Sequence, residues 1–189
     1  MPTPLGHALG GIAAGCALAP VSNERSALAV LRRYGPWFAL LGAFPDIDLL
    51  VDAHRGPTHS FGAALIAGLA ALALTRQWRQ AAAAACAYGS HVLLDWLGAD
   101  TSIPVGVMAL WPLTRDHFQS SIEIFDSVWR RNETPDFWSH NIKAVAREVV
   151  VLLPLAWLAL RKGAVSRQVS VSGPQAKRRR GEAGPGQYL

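Results

Sequence analysis

The stretch PDIDLLVDAHRGPTHS, from Pro45 to Ser60, decides how this chain folds. It contains three aspartates, two histidines and an arginine, and it lies between two runs made almost wholly of Ala, Leu, Gly and Val. Gly56 and Pro57 break helical structure, so the runs before and after them are predicted to be separate helices. Thr58 is suited to cap the second of these helices, which would place His59 in its first turn.

The rest of the chain is markedly apolar. Of its 189 residues 51% are hydrophobic and only 16% are charged, against about 25% charged in an average soluble domain. Cys16 and Cys86 each lie in an Ala-rich run, so we interpret them as small apolar residues and not as a disulfide or a zinc pair.

Five apolar segments rich in Ala and Leu are predicted to be helices. None has the uninterrupted run of about twenty apolar residues that a full membrane span normally needs. We therefore expect an all-α fold, a membrane-embedded bundle of about five short helices, with a soluble all-helical domain as the alternative. The segments are Leu5–Pro20, Pro36–Val51, Ser60–Thr75, Gln80–Leu97 and Val149–Leu160.

The basic residues predict a topology. Arginines and lysines collect between segments one and two, between three and four, and after segment five. By the positive-inside rule these places are cytoplasmic, although the opposite loops also carry basic residues. We expect one domain over residues 1–163, with a loop insertion at about 99–146, followed by a disordered basic tail over 164–189. The tail is interpreted as a solvated cytoplasmic end, and no nucleic-acid partner is expected.

This topology brings the polar side chains of the helices to one outward face. His91 and Asp95 are four residues apart and share one side of a helix. Asp46 and Asp48 would point to nearly opposite sides of a regular helix, unless Pro45 bends it. Each pattern has a plain alternative: a His–Asp hydrogen bond for the first pair and helix capping for the second. The full set is His7, Asp46, Asp48, His59, His91 and Asp95.

Three imidazoles and three carboxylates suit one or two borderline divalent metals. Zinc is the first choice, with manganese and iron as alternatives. Such an ion would bring the pKa of a bound water towards neutrality and polarise a phosphoryl or acyl oxygen. Arg55 has planar donors that suit a phosphate or carboxylate, whereas a lipid-headgroup contact is the alternative for His54 and Arg55. An intramembrane proton or ion path also uses buried His and Asp residues.

The order of the motifs GHALGG, PDID, HRGPTHS, SHVLLD and WP over about residues 1–115 resembles the membrane-bound metal-dependent hydrolase family, also called YdjM-like or LexA-regulated inner-membrane hydrolases. That family is thought to be related to zinc-dependent phospholipase C. The resemblance implies hydrolase activity in the bacterial inner membrane. It matches His7 to the N-terminal histidine, Asp46 and Asp48 to the acidic pair, His54, Arg55 and His59 to the HRG-x-TH motif, and His91 and Asp95 to the H-x-x-x-D helix.

We therefore expect a multi-pass inner-membrane hydrolase that cleaves a phosphoester, small or lipid-like, with a metal-activated water at the extracytoplasmic face. Arg55, Asp48 and His54 are the candidate catalytic residues, and membrane lipid is the expected partner. The alternative is a non-enzymatic membrane protein, either an ion- or proton-coupled carrier or a regulator with a structural metal. The loop from Arg115 to Arg147 matches no pattern of the family, and its acidic and histidine residues either complete the site or belong to the loop alone.

Overall fold

The computed structural model describes residues 1–19, 26–51, 55–129 and 134–171. In these residues the chain forms five α-helices, one 3-10 helix and no strand, so the all-α prediction is confirmed. No helix in this part of the chain is both long enough and apolar enough to cross a bilayer. The helices are α1 (Pro4–Leu18), α2 (Ala27–Ala43), the 3-10 helix (Phe44–Val51), α3 (Phe61–Thr75), α4 (Trp78–Trp96) and α5 (Phe137–Val171).

The helix boundaries follow local capping chemistry. The Thr3 side chain accepts a hydrogen bond from Gly6 N at 3.2 Å, and Pro4 is the first helical residue of α1. α2 ends at Ala43, and the chain tightens there into the 3-10 helix, of which Pro45 is the second residue. The cap of α3 is Ser60, whose Oγ accepts from Ala63 N at 3.0 Å. Thr58 is therefore not the cap, and its hydroxyl is directed elsewhere.

Two helices are longer than the apolar pattern predicts. α2 begins at Ala27, well before Pro36, because Ser26 caps it and its arginines lie on an exposed side. α5 begins at Phe137 and buries a stripe at intervals of four residues, comprising Ala144, Glu148, Leu152 and Ala156. Its first turns carry exposed polar residues such as Ser139 and Lys143, and its buried stripe includes the acid Glu148, so an apolar run alone did not reveal its start. α5 continues to Val171, into the segment assigned to the tail, and residues 172–189 lie outside the described ranges.

α1 lies at the centre of the bundle and packs against α2, α4 and α5, whereas α3 packs chiefly on α4. Small residues let the central helices come close. A Cβ on Gly11 would lie 2.2 Å from Phe38 O, and one on Gly42 would lie 2.4 Å from His7 O. The α1–α2 crossing is thus a backbone-to-backbone contact at the end of the bundle that carries His7.

The described part of residues 97–136 holds no helix and covers that end of the bundle. Phe61 N donates to Ala109 O at 2.9 Å, and Ala99 N donates to Phe125 O at 2.8 Å. Single bridges pair Gly98 with Phe125 and Val107 with Phe118. The loop is therefore tied to the starts and ends of helices, where it forms one wall of a cavity.

Candidate metal centre

Four separate parts of the chain bring imidazoles and carboxylates together at one end of the bundle. His7 comes from the first turns of α1, His59 from the segment before α3, and His91 with Asp95 from α4. All four side chains are buried, with exposures of 0–1%. Asp46, from the 3-10 helix, is the most open of the group at 19%.

Asp95 lies between the histidines and faces them with both of its oxygens. Its Oδ1 is 3.3 Å from His7 Nε2. Its Oδ2 is 3.2 Å from His91 Nε2 and 3.6 Å from His59 Nε2. One carboxylate therefore contacts one imidazole on one side and two on the other, an arrangement in which it can serve one ion or bridge two.

Asp46 closes the group from the side of the cavity. Its Oδ1 is 3.7 Å from His59 Nε2 and 3.8 Å from His91 Nε2. Two atoms bound tetrahedrally to one zinc ion at about 2.1 Å lie about 3.4 Å apart. The separations among His59, His91, Asp95 and Asp46 are thus those expected between ligands of a common ion. Two overlapping sets of side chains can hold a cation: His59, His91 and Asp95, and His7, Asp46 and His91.

Several buried atoms of this cluster make no hydrogen bond. They include both carboxylate oxygens of Asp95 and Nε2 of His91. Leaving buried polar atoms without partners is costly. Because these atoms converge on one another, a cation placed among them would satisfy them together, so the residues present fit a divalent metal.

Outer contacts set which nitrogen each imidazole presents. His91 Nδ1 lies 2.8 Å from Gly42 O, which can only accept, so Nδ1 carries the proton and the lone pair of Nε2 faces the cluster. His59 Nδ1 lies 3.0 Å from Asp48 Oδ2. Thr58 Oγ1 donates to the same oxygen at 2.6 Å. Asp48 therefore stands on the far side of the His59 ring from Asp46 and Asp95.

The electrostatics of the cluster favour an ionised Asp95 and a neutral His7. Burial disfavours a charged Asp95, but the neighbouring His7 and His91 outweigh it and hold the pKa of Asp95 well below its ordinary value. Burial, assisted by repulsion from His91, lowers the pKa of His7. Burial also opposes protonation of His91, yet its contacts with Asp95 raise the pKa of His91 overall. An ionised carboxylate and a neutral imidazole are the forms that bind a cation.

Arg55 does not point freely into solvent. Its Nη1 donates to Asp100 Oδ2 at 2.7 Å and lies 3.0 and 2.9 Å from the carbonyl oxygens of Ser102 and Pro104. Its backbone has a φ of 72°, in the left-handed region. The guanidinium therefore holds the segment 100–104 in place at the cavity, and its expected contact with a substrate phosphate stays a prediction.

A cavity of about 740 Å³ opens onto the cluster. His7, Asp46 and Asp95 line its inner part. Apart from the paired Arg55 and Asp100, apolar groups and hydroxyls form most of the remaining wall, which can therefore hold a molecule with both apolar and polar parts. They include Pro2, Leu49, Val128 and Trp129, and Thr101, Ser102, Ser127 and Thr134.

The remaining candidate site residues are His54 and the acidic and histidine residues of the loop. His54 lies outside the described residues. The acidic and histidine residues of the loop make local contacts: Asp116 accepts from Thr114, Asp126 pairs with Arg147, and His140 stacks on Trp129 with 4.1 Å between ring centroids. Within the described ranges none of them joins the two cation-binding sets.

Sequence reasoning missed Glu148. This residue is fully buried on α5, and its Oε1 accepts from Thr3 N at 2.8 Å. The signal was a single acid in the apolar run that follows Arg147, four residues from both Ala144 and Leu152. An acid at such a buried position requires a donor, and Thr3 is that donor.

One comparison with known proteins found a match. A family model described as YdjM inner membrane protein matches residues 1–165. No curated protein and no solved structure matches.

Proposed function

We propose, from the premise that this chain belongs to the YdjM inner membrane protein family, that it is a metal-dependent hydrolase acting on a phosphoester. The observation that carries the proposal is the buried Asp95 carboxylate, which faces His7 with one oxygen and His59 and His91 with the other, without a hydrogen bond to either oxygen. Burying a carboxylate without a hydrogen bond is costly, and in an apolar bundle such a residue typically marks a functional site.

The first ion would be held by His59, His91, Asp95 and Asp46. A second would be held by His7 together with Asp95 and Asp46. Nitrogen and oxygen donors in this ratio favour zinc, with manganese or iron as alternatives. When bound, the metal supplies a water of lowered pKa and polarises the phosphoryl oxygen.

The protein side chains have distinct roles in this proposal. Asp46 lies on the open side of the cluster and would hold the metal as the ligand that faces the cavity. Asp48 is assigned to orienting His59 through Nδ1, which replaces its earlier assignment as a ligand or base. Arg55 keeps segment 100–104 in place at the cavity.

The lining of the cavity supports an amphiphilic substrate. Apolar residues such as Leu49 and Trp129 line the same space as the hydroxyls of Thr101 and Ser127. We propose an amphiphilic phosphoester, such as a membrane lipid, whose headgroup reaches the cluster while its apolar part rests on the wall.

The family name and the apolar surface support a place at the bacterial inner membrane. α3 contains no charged residue, and its Leu65, Ile66 and Leu69 are more than half exposed. A continuous exposed apolar helix face of this kind marks a surface that contacts a partner or a membrane. Carbonate extraction of membranes tests this placement: the protein stays in the pellet if it is embedded. The multi-pass arrangement, with an extracytoplasmic site and a cytoplasmic tail, stays a prediction for tag-accessibility measurements.

The test of the proposed function measures the bound metal content and the phosphodiesterase activity of one purified sample. Wild type should contain zinc or manganese and hydrolyse a chromogenic phosphodiester. Asp95→Asn should lose both, whereas Asp126→Asn, which alters a carboxylate exposed on the surface, should keep both. Wild type that is purified in metal-supplemented buffer and still contains no metal would exclude this function.

A structural metal in a non-enzymatic membrane protein is the second candidate. The nearly complete burial of His7, His59, His91 and Asp95 favours it, because closed sites are typical of structural metals. In that case Asp46→Asn, on the open side, would leave stability and metal content unchanged and no hydrolysis would be found in wild type.

A further inference from the structure

Glu148 is a buried acid that the proposed hydrolysis does not use. It lies in the buried stripe of α5, where its neighbours at four-residue spacing are Ala144 and Leu152. Its two oxygens accept hydrogen bonds from the backbone N and the hydroxyl of Thr3. The acid is thus held by the residue that begins α1.

Thr3 connects Glu148 to the backbone of His7. Thr3 Oγ1 accepts from Gly6 N at 3.2 Å, and Thr3 O accepts from His7 N at 3.0 Å. A continuous line of hydrogen bonds therefore runs from Glu148 through Thr3 to the backbone of His7, whose Nε2 is 3.3 Å from Asp95.

Gly6 makes this approach possible. A Cβ at that position would lie 2.6 Å from Glu148 Oε2 and 3.0 Å from Glu148 Cδ. The first turn of α1 and the Glu148 carboxylate are therefore in direct contact, and the contact is specific to a glycine.

His7 needs such a support more than the other two histidines do. His91 is oriented by Gly42 O, and His59 by Asp48. His7 Nδ1, by contrast, is buried and makes no hydrogen bond. Its ring stacks on that of His91, with 3.7 Å between the centroids. With no hydrogen bond at Nδ1, the position of the His7 ring depends on this stacking and on the placement of the α1 backbone.

We propose that Glu148 is a positioning residue for the metal centre: by fixing the first turn of α1 to α5 through Thr3, it holds His7 in place beside Asp95. The inference rests on the proposed function, because it concerns the affinity of the same cluster for a cation. Outer contacts of this kind typically change metal affinity by about 10–100-fold.

The experiment titrates Co²⁺ into metal-free protein and follows its visible absorption. His7→Ala defines the part of the binding that depends on His7. Glu148→Ala should weaken the His7-dependent Co²⁺ binding by about 10–100-fold. It should leave unchanged the Co²⁺ binding that depends on His59 and His91. Glu148→Gln should weaken the His7-dependent binding less, because its amide oxygen still accepts from Thr3 N. Thr3→Val, which keeps Glu148 and removes one donor, should fall between wild type and Glu148→Ala.

Two controls separate positioning from general loss of structure. Leu152→Ala removes a side chain from the same stripe one turn away, and it should lower the melting temperature without changing the Co²⁺ spectrum or affinity. In a His7→Ala background, Glu148→Ala should cause no further loss of affinity.

The inference is overturned if Glu148→Ala and Thr3→Val both keep the wild-type affinity, or if Glu148→Ala weakens binding equally when His7 is absent. Either result would leave the proposed function standing. Wild type that binds no Co²⁺ would instead remove the proposed function itself.

Discussion

The contacts of Asp95 in the fold go beyond what its spacing from His91 predicts. The four-residue spacing from His91 predicted that both would share a helix face, and a simple hydrogen bond between them was the alternative. In the fold Asp95 faces three imidazoles and makes no hydrogen bond with either oxygen. Its position between His7 and the other pair favours the metal interpretation over the hydrogen bond.

Asp95→Asn should weaken metal binding at least about tenfold, the lower limit for changes outside the ligand sphere itself. The amide keeps the volume of the carboxylate but loses its charge and one acceptor, so His7 or His91 then faces an NH₂ group. Metal content by mass spectrometry and the affinity for Zn²⁺ measure the effect, with Asp126→Asn as the exposed control. Equal metal content in the two variants would contradict the assignment.

The two cysteines should differ in reactivity. Cys16 is buried, and burial raises its pKa to about 11, whereas Cys86 is exposed. The raised pKa lowers the thiolate fraction of Cys16 at pH 8, and the thiolate is the form that reacts. Alkylation of native protein with a small reagent that enters apolar phases, such as N-ethylmaleimide, should modify one thiol quickly, and Cys86→Ser should abolish this fast phase. Equal rates for both thiols would show that α1 is not packed as described.

At the scale of elements, the α1–α2 crossing positions the metal centre. Gly11 and Gly42 let the two backbones touch, and Gly42 O is also the acceptor that orients His91. His7 O lies against Gly42, so the crossing holds one histidine through its backbone and another through its ring. The distance between these helices is therefore coupled to the geometry of the site.

Gly42→Ala should destabilise the protein by about 1–3 kcal/mol, because its Cβ would lie 2.4 Å from His7 O and the helices must separate. Metal affinity should fall as well, since separation of the helices would displace the backbone O of residue 42, the acceptor that orients His91. Gly89→Ala is the matched control: its Cβ would lie 3.6 Å from Ala64 Cβ, an ordinary contact, and alanine is the better helix former. Chemical denaturation of both variants measures the difference, and equal stability would argue against the crossing.

At the scale of the whole molecule, the centre joins elements that are distant in the chain. α1, the 3-10 helix, the segment before α3, and α4 each supply a side chain, and α5 is tied in through Glu148. The unfolded chain has no such site, so the free energy of binding a cation adds to the free energy of unfolding. Metal binding and folding should therefore be coupled.

Removing the metal should lower the melting temperature, and resupplying Zn²⁺ at about a thousandfold over its Kd should restore about 4 kcal/mol. Calorimetry before and after chelation measures this. An unchanged melting temperature would show that the cation is not bound by the folded cluster.

Acid should release the metal. The pKa of His91 in the metal-free protein is raised by Asp95 although burial opposes it, so protonation of Nε2 begins above its ordinary range near 6.5. Below that range a proton competes with the cation, and affinity should fall steadily as the pH decreases from 8 to 5. A pH-independent affinity over this range would exclude histidine ligands.

The sequence predicted features that depend on neighbouring residues better than features that depend on contacts between distant residues. Helical class followed from Ala- and Leu-rich runs, and the candidate ligands followed from short motifs. The family to which these motifs pointed is confirmed by the match over residues 1–165. The start of α5 was missed because its inner stripe mixes Ala144, Glu148 and Leu152, and Thr58 was wrongly assigned as a cap because its hydroxyl binds Asp48 instead.

The sequence by itself therefore determined the five helices and the types of donor, because both depend on nearest neighbours along the chain. Only the tertiary structure decided that Asp48 stands behind His59, that Arg55 is bound to Asp100, and that Glu148 holds the first turn of α1. The last two pairs are 45 and 145 residues apart in the chain. Contacts over such distances are set by how helices pack, which no local pattern encodes.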